Sequence, residues 1–252
     1  MMRKSIVPWI VPILLLVIWQ TLSSAGLLST RVLPNPVDIV KSAVELGKSG
    51  LLFDNIWISF KRAALGFIVG GGIGFVLGLM NGLSRVSENL LDTTIQMVRN
   101  IPHLALIPIV ILWFGIGEEA KLFLVALGTF FPIYLNTYHG IRTVDGSLIE
   151  MGRVYGLGKR SLFWNIVLPG ALPSILVGIR FALGITWVTL IVAETIASNS
   201  GIGYMAMNAR EFMQLDVVIL SIILYAILGK LSDFAAKLAE KQCLKWHPNY
   251  QK

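Results

Sequence analysis

Few residues in this sequence have the type and spacing for chemistry. Gly156-Leu157-Gly158-Lys159 resembles a fragment of a phosphate-cradling loop. A true P-loop needs G-x-x-x-x-G-K followed by Ser or Thr. Here positions 153 and 160 are both Arg, so ATP is not bound by this route. No H-E-x-x-H, G-x-S-x-G or zinc-ligand spacing occurs, and no catalytic apparatus is expected. His103 has no second His or carboxylate at ligand spacing, so no metal is expected there. Cys243 is the one cysteine, which excludes an internal disulfide and reads as structural filler. What remains is Arg180 and Glu194, two ionisable residues in an apolar stretch, which are functional candidates by default. Their separation corresponds to about 21 Å of helix, so they cannot pair along it. Arg180 can attract an anion or tie helices together through carbonyls. Glu194 falls near the far end of its segment.

The elements that position these residues must lie in a membrane. Hydrophobic residues make up 55% of the chain and charged ones 14%. That is too little charge to coat a soluble domain, and too little polarity for disorder. Six apolar runs of spanning length follow. They lie at about Val7–Leu27, Ala63–Leu83, Ile101–Gly117, Leu122–Ile141, Leu172–Thr195 and Val217–Ala236. The runs are solidly apolar rather than alternating, so the fold class is all-α integral membrane with six transmembrane helices. The net charge is +7, but the basic residues sit between apolar runs. This favours cytoplasmic loops facing anionic lipid over a nucleic-acid partner. With the N-terminus inside, 13 Lys and Arg fall on inner segments and 7 on outer ones, which places both termini in the cytoplasm. Ser23-Ser24-Ala25 resembles a cleavage site, but the uncharged run Ser5–Thr30 is long for a signal peptide and reads as a retained span. The connection after it, with Pro34-Asn35-Pro36, is expected to hold a short amphipathic helix on the outer surface.

Three features stand out. Gly66, Gly70, Gly74, Gly78 and Gly82 recur at strict i, i+4 spacing, which makes a smooth stripe for close helix packing. Gly71 and Gly72 widen it. The third run opens with Pro102 and His103 and carries Pro108, so it is expected to be kinked or partly unwound. Such a break either lines a translocation path or serves packing alone. The third feature is the loop Glu150–Pro169. Ser147 and Glu150 form a capping box that starts a first short helix. Gly156 stops it in a left-handed cap. Ser161 caps a second helix, and Pro169 ends it. That second helix carries Leu162, Phe163, Trp164, Ile166, Val167 and Leu168, which suits a groove on a partner protein or an interfacial seat on lipid.

Glu150, Gly156, Ile166, Leu168 and Pro169 fall in register with the pattern E-A-A, three residues, G, nine residues, I-x-L-P. This resembles the EAA loop of permease subunits in ATP-binding-cassette importers of type I. Met151 and Gly152 replace the two alanines without altering the spacing. Leu33-Pro34-Asn35-Pro36 and Ser59-Phe60-Lys61-Arg62 are similar to the sulfonate, taurine and nitrate permease group. Leu91–Met97, Arg99–Pro108, Ile191–Thr195, Asn199–Tyr204 and Asn208–Phe212 are similar to its aliphatic-sulfonate branch.

The resemblance implies a MetI-like fold acting as a homodimer. Two separate ATPase subunits would dock beneath it and an extracytoplasmic binding protein would deliver substrate. The chain itself would be no enzyme and would hold no cofactor, since ATP would be bound by the partner. Residues 1–56 would form the first span and outer connection, 57–241 the permease core, and 242–252 a cytoplasmic tail in the inner membrane. Glu150 through Pro169, with Phe163 and Trp164, would couple to the ATPase. Pro102, His103, Pro108, Arg180 and Glu194 would mark the path. Aliphatic sulfonates are the expected cargo, with taurine, nitrate or a pyrimidine vitamin precursor as alternatives. A secondary transporter, a channel, or a membrane-bound sensor or scaffold are more distant ones.

Overall fold

A computed structural model describes residues 3–29, 33–196 and 198–246. Arg31 and Lys252 of the charge count lie outside the described residues. Among those described, the chain is helical: α1 (Arg3–Ser24), α2 (Pro36–Lys48), α3 (Leu51–Leu83), α4 (Arg85–Arg99), α5 (Ile107–Phe114), α6 (Glu118–Arg142), α7 (Gly146–Val154), α8 (Lys159–Leu162), α9 (Leu168–Ile196), α10 (Ile202–Glu211) and α11 (Leu215–Cys243). A 3-10 turn, His103–Leu106, precedes α5, and a π turn, Phe163–Val167, joins α8 to α9. The helices fall into two compact units, residues 1–59 with 199–226 and residues 60–198 with 227–252.

In the first unit α1 ends at Ser24, slightly before the expected Leu27. The expected amphipathic helix is α2, opened by Pro36 in its first turn, where the missing N–H costs nothing. Ser42 on α2 donates to the Asp216 carboxylate at the start of α11. The N-terminus of α10 has no cap of its own, because Gly201 sits there at φ +104°. Its orphan N–H groups are met from α3 instead. Asn55 Oδ1 accepts from Gly201 N–H at 2.7 Å, and Ser59 Oγ accepts from Ile202 N–H at 2.9 Å.

In the second unit α6 is central. It is the least hydropathic of the four long spans yet the most buried, at 61% of its apolar window. A helix wrapped by other helices has less need of lipid-facing side chains. The glycine row of α3 lies against it. A Cβ on Gly66 would sit 2.5 Å from Val125 Cγ1, one on Gly74 2.5 Å from the Phe130 carbonyl oxygen, and one on Gly82 2.8 Å from Ile141 Cβ. Gly70 faces the Ala126 carbonyl and Gly78 the Tyr134 carbonyl in the same way. The contacts climb both helices together, so α3 and α6 run parallel. Gly71 meets Ile133, but Gly72 faces open space and does not widen the stripe, because two residues along a helix turn away from the face. On its other side α6 runs antiparallel to α9. Gly140 meets Ala171 and Ser174, and Gly178 meets Pro132 and Asn136.

Two parallel neighbours need a return segment, of which the expected third span is only the second half. It is α4 and the helical stretch His103–Phe114, bent by 80°. The bend falls at Asn100–Pro102. Pro108 breaks nothing, since it stands in the first turn of α5, where a missing donor is tolerated. The amphipathic α4 was not anticipated. It is held by polar ties to α6: Tyr134 Oη donates to Asp92 at 2.8 Å, and Glu88 accepts from Tyr138 and pairs with Arg142. The second run starts 12 residues earlier than expected, at Leu51, so Lys61 and Arg62 lie within a helix rather than in a connection. Lys230, Lys237 and Lys241 likewise lie on α11.

Arg62, inside α3, joins the start of α6 to the end of α9. Its Nε and Nη2 donate to both oxygens of Glu118, at 2.6 and 2.5 Å, and Nη1 donates to Glu194 Oε1 at 2.7 Å. Lys121 Nζ also reaches Glu118, at 3.1 Å. Glu194 is fully buried, which is tolerable only with a paired, hydrogen-bonded cation.

Two outcomes follow from this packing. Gly74→Leu overpacks a backbone contact and is expected to cost about 1–3 kcal/mol, while Gly72→Ala is expected to gain about 1 kcal/mol from helix propensity. Thermal unfolding of the purified protein in detergent compares them. Arg62→Met removes the cation bonded to a buried carboxylate and is expected to cost about 3–5 kcal/mol. Adding Glu194→Gln is expected to recover much of that loss in the same assay.

Candidate functional site

The loop between α6 and α9 folds as an elbow. Its first helix is capped by Asp145, not by Ser147. The Asp145 carboxylate accepts the Ser147 N–H at 2.8 Å. An acidic cap at the first residue outside the helix displaces the Ser147–Glu150 box. Ser147 in turn holds the Asp145 carboxyl below the ordinary aspartate range. Gly156 ends α7 at φ +78°, as its type suggests. Leu157 N–H returns to the Gly152 carbonyl and Gly156 N–H to the Arg153 carbonyl, a Schellman closure. The Gly156–Lys159 segment is therefore a helix stop and restart, not a phosphate loop.

The second helix departs further from expectation. Gly158, not Ser161, precedes it, and Ser161 Oγ accepts from Asn165 Nδ2. Pro169 does not end it. The run continues from Lys159 to Ile196 through Pro169 and Pro173. The π turn allows this: Leu168 N–H bonds the Phe163 carbonyl five residues back, so the wider turn absorbs the donor that Pro169 lacks. The elbow is thereby continuous with a long span.

The apolar residues of the elbow divide into two faces. Val167 is buried with Ile141, Ala171 and Ile175, and Phe163, Leu168 and Ile149 pack on that cluster. Ile166 and Leu162 close over Gly152, where a Cβ would come within 2.6 Å of Ile166 Cδ1. The glycine that replaces an alanine of the EAA pattern is what lets the two short helices touch. Other apolar residues of the elbow face solvent: Val154 is 86% exposed, Tyr155 80%, Trp164 58% and Met151 48%, with the exposed charge of Glu150 on the same helix as Met151. Met151, Val154 and Tyr155 were not singled out from the sequence. Their signal was available: they flank Gly152 on the solvent side of an amphipathic turn.

The other candidate residues separate. His103 and Arg180 share one cavity of about 650 Å³. His103 Nε2 lies 3.1 Å from Thr189 Oγ1, and Arg180 Nε donates to Asp233 Oδ1 at 2.6 Å. The tie is therefore to a side chain of α11, not to carbonyls. Pro102 and Pro108 shape the approach to α5 but do not line this cavity. Glu194 is five residues beyond Thr189 and is sequestered by Arg62. Among the described residues no group of three His, Cys, Asp or Glu is placed to hold a metal ion.

The arrangement has counterparts. The family described as the binding-protein-dependent transport system inner membrane component matches residues 70–244. The chain is 60% identical to the aliphatic sulfonates transport permease protein SsuC of Escherichia coli strain K12, over 97% of this chain and 93% of that one. It is 47% identical to the protein of the same name from Bacillus subtilis strain 168, over 96% and 88%. It is 33% identical to the taurine transport system permease protein TauC of Escherichia coli K12, over 94% and 88%. Among solved structures, an inward-facing form of the MetNI methionine ABC transporter aligns with a TM-score of 0.60 at 19% identity, covering 78% of this chain and 98% of that one. An amino acid ABC transporter with histidines aligns with a TM-score of 0.61 at 16% identity, covering 79% and 97%. At such identities these two speak to the fold alone. Sequence and fold agree that this chain belongs to the binding-protein-dependent transport system inner membrane component family, the multi-pass permeases of ABC importers.

Proposed function

We propose that the chain is the permease of an ATP-driven importer for aliphatic sulfonates. The observation that carries this reading is the 60% identity, over nearly the full length of both chains, to a permease named for that cargo. Taurine, as cargo of a permease only 33% identical, is a weaker likeness. The working unit is a homodimer, set in membrane lipid, with two ATPase subunits on its cytoplasmic side and a binding protein outside. ATP is bound and hydrolysed by the partner subunits, not by this chain.

The geometry supports the division of labour. Val154, Tyr155 and Trp164 make an exposed apolar seat on a rigid elbow, which suits a groove on a partner better than solvent. The buried face of the elbow is fused to α6 and α9. A push on the seat is therefore delivered to the spans as a rigid-body displacement, the kind of motion alternating access needs. The elbow and both termini face the cytoplasm, and the Arg62 cluster lies at the outer end of the bundle.

Two measurements test this. Proline cannot adopt the positive φ of Gly156, so Gly156→Pro is expected to abolish sulfonate uptake in vesicles while the protein still inserts. Undiminished uptake would contradict a coupling role. Cys243 is exposed on the last turn of α11. It is expected to react with a membrane-impermeant maleimide only after cells are permeabilised. Labelling of intact cells would reverse the orientation.

A further inference from the structure

The cavity shared by His103 and Arg180 joins an apolar bed to a cationic rim. Along α9, Val177, Phe181, Gly184, Ile185 and Val188 line it at helical spacing. The stretch from Phe181 to Val188 is about 10 Å long. Gly184 leaves the middle of the bed open, since a Cβ there meets nothing within 4 Å. At one end stands Arg180, bonded to Asp233 at 2.6 Å. Lys237 reaches the other oxygen of Asp233 at 3.0 Å and Lys230 at 3.7 Å. Three cations thus share one carboxylate, and the rim carries surplus positive charge. At the opposite end the buried Thr189 hydroxyl orients the His103 ring.

We propose that this cavity is a transit site for an anion carried on an apolar chain, with the sulfonate head on Arg180 and the alkyl tail along Phe181–Val188. The inference rests on the proposed import of sulfonates and assigns residues to it. A guanidinium has five donors, and the bond to Asp233 uses one of them. A planar fork can therefore take sulfonate oxygens beside the carboxylate or in exchange for it. Exchange suits transit. Asp233 keeps Lys237 while the sulfonate is bound, and it reclaims Arg180 when the sulfonate leaves. No free cation is created at either step, and the substrate is not trapped. The bed has no use for nitrate, which lacks a tail. The surplus positive rim disfavours taurine, whose ammonium would lie near it. An anionic phospholipid shares the head-and-tail chemistry, so the test separates the two.

The importer is reassembled in vesicles from permease, ATPase and binding protein, and uptake of hexanesulfonate and ethanesulfonate is followed. Arg180→Gln is expected to lower both at least about tenfold, the loss of one charge-assisted contact. Asp233→Asn added to it is expected not to restore uptake. Gly184→Leu is expected to cut hexanesulfonate uptake about tenfold and leave ethanesulfonate within about twofold, because it fills the bed but not the head position. Recovery in the double variant makes the Arg180–Asp233 pair a structural tie and overturns the proposal. So does an equal effect of Gly184→Leu on both substrates. An Arg180→Gln defect confined to vesicles containing phosphatidylglycerol assigns the cavity to lipid and also overturns it. If the wild-type importer carries neither sulfonate, the functional reading fails first. If it carries both and the variants do too, only the site fails.

Discussion

The structure depends on two backbones being allowed to touch. Five glycines on α3 bring it against α6, onto backbone carbonyls at Gly70, Gly74 and Gly78 and onto the Val125 and Ile141 side chains at Gly66 and Gly82. In a membrane no hydrophobic drive distinguishes a helix neighbour from lipid, so van der Waals contact at this range is what holds helices together. Once α3 and α6 are locked in parallel, the rest is constrained. The chain must come back, and α4 with the bent stretch to Phe114 is the return. Helix α9 closes the other side of α6, which leaves that helix so enclosed that it carries the polar residues Thr129, Asn136 and Thr137 at membrane depth.

From this block the elbow follows. It begins where α6 stops and ends as α9, with no flexible joint between α8 and Ile196. The π turn is the device that makes this possible, since it carries the helix past Pro169 without a break. Gly152 then folds the elbow's two arms onto each other, and Val167 roots them in the core shared with Ile141 and Ala171. A rigid arm attached to a rigid pair of spans is a lever, and the proposed coupling needs no more than that. At the other end of the same block, Arg62 binds carboxylates from α6 and α9. Both ends of the unit are therefore cross-tied. The open, weakly tied feature between them is the cavity along α9, where Arg180 and Asp233 are each partly exposed.

Much of this was legible from residue types, and the failures have physical causes. The membrane class, the glycine stripe and the left-handed stop at Gly156 follow from composition, spacing and φ preference. The break at Pro102 was legible from its missing donor, but its 80° size and the amphipathic first arm α4 were not, because hydropathy reports apolar length and not direction. Pro108 and Pro169 were read as breakers, yet the outcome at a proline depends on where its missing donor falls: in a first turn it is free, and after a π turn it is absorbed. Arg62 was placed in a loop because it is charged. Its carboxylate partners are 56 and 132 residues away, beyond the reach of any local pattern. The seat of the elbow was half seen: the aromatic pair Phe163–Trp164 drew attention, while Val154 and Tyr155, the most exposed, lie on the helix that reads as merely capped.

The claim that ties these parts together is that the exposed face of the elbow sits under a cytoplasmic ATPase. It is tested most directly in a Cys243→Ser background carrying Tyr155→Cys, by timing thiol modification from the cytoplasmic side with and without the ATPase subunits. The account predicts rapid modification of the permease alone and strong protection in the assembled importer. Equal rates in both, or modification from outside the cell, would contradict it.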